Sequence, residues 1–174
     1  MRARCRYRLP CLLLCAILGS GWAAGQVAGG DTTAASPAFN DPFVQATSGI
    51  PACPVPQAPR YTAAEVRERA HVRAQHGGSC YRAGRCRLPN SYLYDAEIIP
   101  RVQQYIRQDG RFDDTSVWVL GERRLVTLMG CVQSPDQGRA LEQAVGLVDD
   151  VMGVVNQLSV GTAPPAVRTP PQRP

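Results

Sequence analysis

Residues 115–132 read TSVWVLGERRLVTLMGCV and contain two short runs rich in valine and leucine. Alternation of apolar side chains predicts strands over 115–120 and 125–132, with Gly121-Glu122-Arg123-Arg124 as the hairpin connection. The apolar residues that share one face by this alternation are Val117, Val119, Val126, Leu128 and Val132. The pattern predicts that helices on either side of the hairpin cover this face.

Helical periodicity is present on both sides of the hairpin. An i, i+3, i+4, i+7 stripe of Ile98, Ile99, Val102, Tyr105 and Ile106 predicts an amphipathic helix over 95–109, where Pro100 indicates a late start or a kink. Ser134-Pro135 with Gln137 predicts the start of a second helix, with Leu141, Ala144, Val145 and Val148 on its apolar side. Residues 154–160 predict a third strand. The sequence therefore predicts an α+β fold, a small αββαβ sandwich with a three-stranded mixed sheet and two helices on one face.

These residues resemble the BON domain, a family of bacterial periplasmic and outer-membrane-associated proteins that includes osmotically inducible ones. The resemblance covers about residues 95–160. It rests on Asp95-x-x-Ile98-x-x-x-Val102-x-x-x-Ile106-x-x-Asp109, on Val117-x-Val119, on LVTLMGCVQS at 125–134, and on Val148-x-x-Val151-x-x-Val154-x-Asn156-x-Leu158. Family members often carry two copies, whereas residues 61–94 do not repeat the pattern here.

Two positions depart from the family pattern. Arg124 stands where the family usually has a turn glycine, and Asp150 stands where it usually has glycine before a valine. We therefore expect the hairpin and the entry to the last strand to differ in detail from the family.

The first 25 residues have the three-part layout of a secretory signal peptide. Arg2, Arg4, Arg6 and Arg8 precede an apolar stretch, and small residues follow it. The apolar stretch has about ten residues where a membrane-spanning helix needs roughly 20, which favours a cleaved signal over an uncleaved anchor. No other segment is apolar enough to span. The sequence thus predicts an exported, periplasmic protein without a transmembrane helix in its mature form, and a peripheral position at the outer membrane is compatible with it.

Cysteine counting supports export. Removal of the signal leaves an even number of cysteines, namely Cys53, Cys80, Cys86 and Cys131. In an oxidising compartment four cysteines predict two disulfides, with three possible connectivities. The short loop favours Cys80 with Cys86, which leaves Cys53 with Cys131. A metal site built from His71, His76, Cys80 and Cys86 is disfavoured because the spacing fits no standard zinc pattern, and no cofactor is expected.

The segments outside 95–160 are simpler. Residues 26–60 predict a flexible linker rich in Pro, Ala and Gly, and residues 161–174 predict a Pro-rich disordered tail. Over 61–94, a capping box from Thr62 to Glu65 opens a helix that runs to about Gln75 and stops at Gly77-Gly78, followed by a disulfide-closed loop.

The second face of the sheet is unusual. By alternation it carries Trp118, Leu120, Leu125, Met129 and Cys131, although a solvent-facing side should be polar. We expect the helix near 62–75 and its cystine loop to cover this face, with Cys131 bonded to an upstream cysteine; a partner subunit or lipid is the alternative. Gly130, assigned to the opposite face, is expected to let a helix approach the sheet closely.

Charge distribution limits the function. The chain has a net charge of +5, but without residues 1–25 the value is +1, which argues against a nucleic-acid-binding surface. Residues 60–94 hold seven Arg and two Glu, whereas residues 95–160 hold six Arg and ten acids. Arginine with tyrosine suits an anionic lipid surface, and the predicted lipid or partner surface comprises Tyr81, Arg82, Arg85, Arg87, Tyr92, Tyr94 and Trp118.

Three functional alternatives remain. The family resemblance implies phospholipid association in envelope maintenance or stress. The basic segment is equally compatible with a solvated surface or an intramolecular partner for the acidic domain, and a protein–protein assembly module of an envelope complex is the other class. Catalysis is not expected, because the mature chain has two histidines, no nucleophile elbow and no phosphate loop. The acidic pairs at 113–114 and 149–150 are interpreted as turn or cap residues.

Overall fold

A computed structural model describes residues 36–162 of the 174-residue chain. The predicted signal peptide, residues 26–35 of the predicted linker and residues 163–174 of the predicted tail lie outside this range. The elements in chain order are β1 (Phe43–Gln45), α1 (Ala63–Gly77), α2 (Ser79–Arg82), a 3-10 helix (Ser91–Tyr94), α3 (Asp95–Asp109), β2 (Ser116–Glu122), β3 (Leu125–Val132), α4 (Pro135–Gly146) and β4 (Gly153–Val160).

The sheet has four strands in the order β1-β2-β3-β4. β2 is antiparallel to β1 and to β3, whereas β4 runs parallel to β3. The prediction of an α+β fold with a mixed sheet is therefore confirmed, and the prediction of three strands is wrong.

The additional strand, β1, comes from the predicted flexible linker. Its residues pair with Trp118, Val119 and Leu120, and the following turn continues the contact through hydrogen bonds from Ala46 N–H to Val117 O (2.8 Å) and Gly49 N–H to Thr115 O (2.6 Å). A strand of three residues has no readable periodicity. The partners of residues 43–49 lie on β2 and just before it, about 70 residues further along the chain. Composition does not reveal such partners, and for this reason it suggested a flexible chain.

The main core lies between the sheet and the pair α3 and α4. Its fully buried side chains include Ile98, Val102 and Ile106 from α3 and Leu141 and Val145 from α4, packed on Val117, Val119, Val126 and Leu128. Burial of each such side chain contributes roughly 1.5–3 kcal/mol, so the predicted stripes supply most of the stability of the domain. α3 begins at Asp95, and Pro100 does not delay it.

Two glycines on the strands have different roles. Gly130 has a φ of +114°, and a Cβ there would lie 2.1 Å from the Ser116 carbonyl oxygen. The expectation that Gly130 admits a helix is therefore wrong, because what approaches it is the backbone of β2. Gly121 is the glycine that admits a helix, since a Cβ there would lie 2.6 Å from Cγ1 of Ile99 on α3.

α1 has the predicted capping box, with Thr62 and Glu65 bonding each other's backbone N–H groups. Gly77 is its only buried residue. It is fastened by Arg73, whose guanidinium binds Asp41 through two hydrogen bonds (2.7 and 2.9 Å) and stacks on Phe39 and Tyr92. A cationic side chain, and not an apolar stripe, holds this helix in place.

Both predicted disulfide pairings are confirmed. Cys53 is bonded to Cys131 across 78 residues of sequence, and Cys80 is bonded to Cys86 across six.

Candidate functional site

The cystine loop comprises residues 80–86, closed by the Cys80–Cys86 disulfide. α2 provides its first turn, and Tyr94 anchors the chain that leaves it. The buried Tyr94 hydroxyl accepts hydrogen bonds from the backbone N–H groups of Arg87 (2.6 Å) and Leu88 (2.9 Å). The loop thus projects from a fixed base at the edge of the main core.

The tip of the cystine loop is accessible. Residues 81–85 are all exposed, and Tyr81 retains 50% of its surface. Arg82 bonds the carbonyl of Gln75 (3.3 Å), and within residues 36–162 neither Arg82 nor Arg85 forms an ion pair with an acid. Two arginines without an acidic partner among the described residues are therefore exposed in the same loop as Tyr81.

Other residues of the predicted surface lie elsewhere. Tyr94 is 2% exposed and Trp118 is 7% exposed, so neither can contact a lipid or partner in this state. Tyr92 is half-buried under Arg73, whose guanidinium carbon lies 3.7 Å from the ring centroid. Arg87 is exposed but forms an ion pair with Glu97 (2.7 Å). The predicted surface thus reduces to Tyr81, Arg82 and Arg85.

The Trp118 side of the sheet is covered by a segment different from the predicted one. Trp118 and Cys131 pack against Cys53, with Phe43 and Ile50 beside them, and Ile50 also bonds Ser116 through its backbone N–H (2.9 Å). α1 contacts the sheet at the end of β2, where Arg69 and Arg73 form ion pairs with Glu122. The expectation of an upstream partner for Cys131 is right, and the expected intramolecular cover is present over Trp118 and Cys131, whereas Leu125 on the same face is 43% exposed. The choice of α1 and the cystine loop as the cover is wrong.

The cystine loop instead contacts the main core, where Cys86 packs against the buried cluster, as does Leu88 just after the loop. There it meets Arg124, one of the two departures from the family pattern. Arg124 and Asp150 both have positive φ, 66° and 71°, the conformation for which glycine is favoured. The two side chains meet, since Arg124 Nε donates to the Asp150 carbonyl (2.8 Å) and Nη2 lies 3.4 Å from its carboxylate.

The Arg124 guanidinium is largely enclosed, with 14% of its side chain exposed. It lies 4.6 Å from the Tyr94 ring centroid, and its Nη1 donates to Sγ of Cys86 at 3.1 Å. Sequence reasoning noted both departures but missed that they meet beside a disulfide. The available signal was two residues of opposite charge at two positions where glycine is expected.

Asp95 binds the hairpin turn between β2 and β3, the turn that contains Arg124. Its carboxylate accepts hydrogen bonds from the backbone N–H groups of Arg123 and Arg124, each at 2.7 Å. Both turn residues have positive φ, as the two central residues of a type I′ hairpin turn require, and neither is glycine. Burial raises the pKa of Asp95 to about 6, while the two N–H donors oppose that rise.

Two open cavities of about 320 and 370 Å³ flank Arg73, which already has its partners in Asp41, Phe39 and Tyr92. Among residues 36–162, no group of three or more His, Cys, Asp or Glu side chains is placed to hold a metal ion. The same residues include no helix with the length and apolar character needed to cross a bilayer.

The geometry defines a class: a small α+β domain with helices on one sheet face, a disulfide-fastened segment on the other, and a cystine loop at its edge. Residues 94–162 match the family model described as the BON domain. The chain therefore contains one BON domain over these residues, as the resemblance implied, and the cystine loop lies before it. No curated protein matches the chain.

Proposed function

We propose that this is an exported, non-catalytic protein of the periplasm that associates with an anionic phospholipid surface. The observation that carries the proposal is the exposed tip of the cystine loop, where Arg82 and Arg85 have no acidic partner among the described residues and Tyr81 stands beside them. The BON domain implies a membrane or envelope role, and the predicted signal peptide supports export.

The chemistry fits a phosphate-rich surface. Guanidinium groups donate several hydrogen bonds to phosphate oxygens, and tyrosine is favoured where water meets lipid. Each arginine near an anionic membrane contributes about 1 kcal/mol, so two give a weak, salt-sensitive contact. Three other arginines of the basic segment contribute less, because Arg69, Arg73 and Arg87 are paired with Glu122, Asp41 and Glu97.

Vesicle flotation tests the proposal. We expect the protein to float with vesicles containing phosphatidylglycerol at low salt and to remain behind with neutral phosphatidylcholine vesicles. The double variant R82Q/R85Q should bind the anionic vesicles about tenfold more weakly or worse.

The control for net charge is R111Q/R139Q, which removes two positive charges at the other end of the domain, where Arg111 and Arg139 are paired with Asp109 and Asp136. Arg111 follows α3, about 20 Å along the helix from Tyr94, and the side chain of Gln137 on α4 lies beside it. Equal loss in both variants would indicate a general charge effect, and no flotation at low salt would exclude the lipid contact.

A second candidate is an assembly module, favoured by the open edge of β4. Within residues 36–162, β4 ends the sheet. Edge strands commonly avoid pairing with other chains by carrying charged residues or proline, and Gly153–Val160 contains neither. Met152 and Val155 beside this edge are 66% and 41% exposed. A discrete oligomer by light scattering that V155K returns to monomer would favour assembly, and a monomer that floats would favour lipid binding.

A further inference from the structure

The two disulfides lie in opposite environments. Cys53 and Cys131 are 7% and 1% exposed and pack against Trp118. Cys80 and Cys86 are only partly buried, and the residues between them, 81–85, are all exposed. A reductant in solution can therefore approach the second disulfide much more easily than the first.

The charges around Cys86 favour a thiolate. Nη1 of Arg124 lies 3.1 Å from Sγ of Cys86, a contact that becomes an ion pair once the sulfur carries a negative charge. Asp150 partly offsets this charge, but Arg101 also binds Asp150, at 3.1 Å. Arg82 and Arg85 lie within the loop itself. Glu97 on α3 is paired with Arg87, and Asp95 accepts from backbone N–H groups, so neither acid pairs with Arg124.

We propose that the Cys80–Cys86 disulfide is a thiol–disulfide exchange site that accepts electrons from a dithiol, with Cys86 as the leaving group. This inference goes beyond lipid association, because it needs no lipid and concerns the sulfur atoms and not the tip of the loop.

The exchange balances in two steps. One thiolate of the dithiol attacks Sγ of Cys80, the Cys80–Cys86 bond breaks, and Cys86 leaves as a thiolate beside Arg124. In the second step, the other thiol of the reductant attacks the reductant sulfur that is bonded to Cys80 in the mixed disulfide. Cys80 is released and takes up the proton of that thiol. Two electrons pass to the protein, and the dithiol becomes a disulfide. A leaving thiol stabilised as its thiolate departs faster, which is the role assigned to Arg124.

The experiment uses the purified, fully oxidised protein and dithiothreitol as the dithiol, without lipid. Samples are quenched with N-ethylmaleimide at intervals, and peptide mapping by mass spectrometry identifies the alkylated cysteines. We expect Cys80 and Cys86 to be alkylated first, while Cys53 and Cys131 stay bonded. Reduction of both disulfides at the same rate would overturn the proposal.

Three variants test the part played by Arg124. R124G fits the positive φ at this position and removes the guanidinium, so reduction of Cys80–Cys86 should slow about three- to tenfold. R123G makes the same change at the neighbouring turn residue, which has no contact with the sulfur among the described residues, and should match the wild type. D150G removes the competing acid and should match or exceed the wild-type rate.

The sign of the effect separates this role from a structural one. A variant that loosened the fold would expose the disulfide and speed its reduction. The proposal would be refuted if R124G were reduced as fast as the wild type or faster. It would also be refuted if D150G were reduced more slowly than the wild type.

Discussion

Asp95 is the buried acid on which the hairpin turn depends. Its two carboxylate oxygens accept the N–H groups of Arg123 and Arg124, whose backbone conformation is costly for residues other than glycine. The family pattern begins at Asp95, and the contact explains why an acid there is compatible with a hairpin that lacks glycine. Asp95 is 1% exposed, so its charge is largely removed from water at neutral pH.

Asp95 makes stability depend on pH. Its pKa is raised from 3.8 to about 6 in the folded protein, so the folded state binds a proton more tightly than the unfolded state does. Its contribution is therefore fully present below about pH 3.8 and is lost as the pH rises through about 6. Between pH 7 and pH 5, Asp95 should add about 1 kcal/mol to the free energy of unfolding.

Urea unfolding at pH 7 and pH 5 measures this contribution. D95N should lack the gain of about 1 kcal/mol that Asp95 gives on acidification. D136N, at an exposed position on α4, should keep it. An identical pH response in D95N and the wild type would contradict the assignment.

At the scale of elements, α1 and β1 have little intrinsic stability and depend on specific contacts. α1 has a good local start at Thr62 but exposes its apolar residues, and Val72 is 42% exposed. Short helices in water are marginal without tertiary contacts. The Arg73 contacts to Asp41, Phe39 and Tyr92 are therefore what keeps α1 against the domain.

Substitution of Arg73 tests this attachment. R73A should increase amide hydrogen exchange throughout α1 at least about tenfold, because a stacked, bidentate guanidinium contributes on the order of 2 kcal/mol. R73K should not restore protection, since an ammonium cannot reproduce the planar pairing. R67A, at an exposed arginine of the same helix, is the control, and α3 should be unaffected throughout. Unchanged exchange in R73A would mean that other contacts hold the helix.

At the scale of the whole molecule, the two disulfides contribute unequally. Cys53–Cys131 closes 78 residues and fastens the segment that covers Trp118, whereas Cys80–Cys86 closes six. In the loop-entropy model, loss of the long crosslink costs about 4 kcal/mol and loss of the short one about 2 kcal/mol.

Paired serine variants compare these contributions by urea unfolding at neutral pH. C53S/C131S should lose about twice the stability that C80S/C86S loses. Trp118 becomes more accessible in the first variant, so its fluorescence should shift to the red only there. Equal losses would indicate that structure remaining in the unfolded chain offsets the difference in loop length.

Local sequence was sufficient for much of the molecule. Periodic stripes predicted α3 and α4, alternation predicted β2 and β3, and the capping residues Thr62 and Ser134 marked helix starts that the structure has. The α+β class followed from these elements, and the BON domain was predicted from the resemblance of their motifs to that family. Each of these features depends on residues close together in the chain, which is where periodicity and capping carry information.

The candidate site was only partly predictable. Arg82 and Arg85 are exposed because the loop tip has little to pack on, as a charged, glycine-containing loop indicates. Tyr94 was assigned to the surface because it lies in a segment rich in arginine and tyrosine, and Trp118 because alternation places it on the second sheet face. Their burial depends on Leu88 and Cys53, which come from other parts of the chain. Composition alone does not state which segment covers a given face.

By itself, the sequence determined the order of the elements of the BON domain, the apolar faces that build its core and the pairing that its four described cysteines favour. Only the tertiary structure decided that β1 joins the sheet, that residues 50–53 cover Trp118, and that Arg124 meets Cys86 across 38 residues. The physical reason is that these contacts join segments far apart in the chain. Their free energy comes from packing and hydrogen bonds that no local pattern encodes.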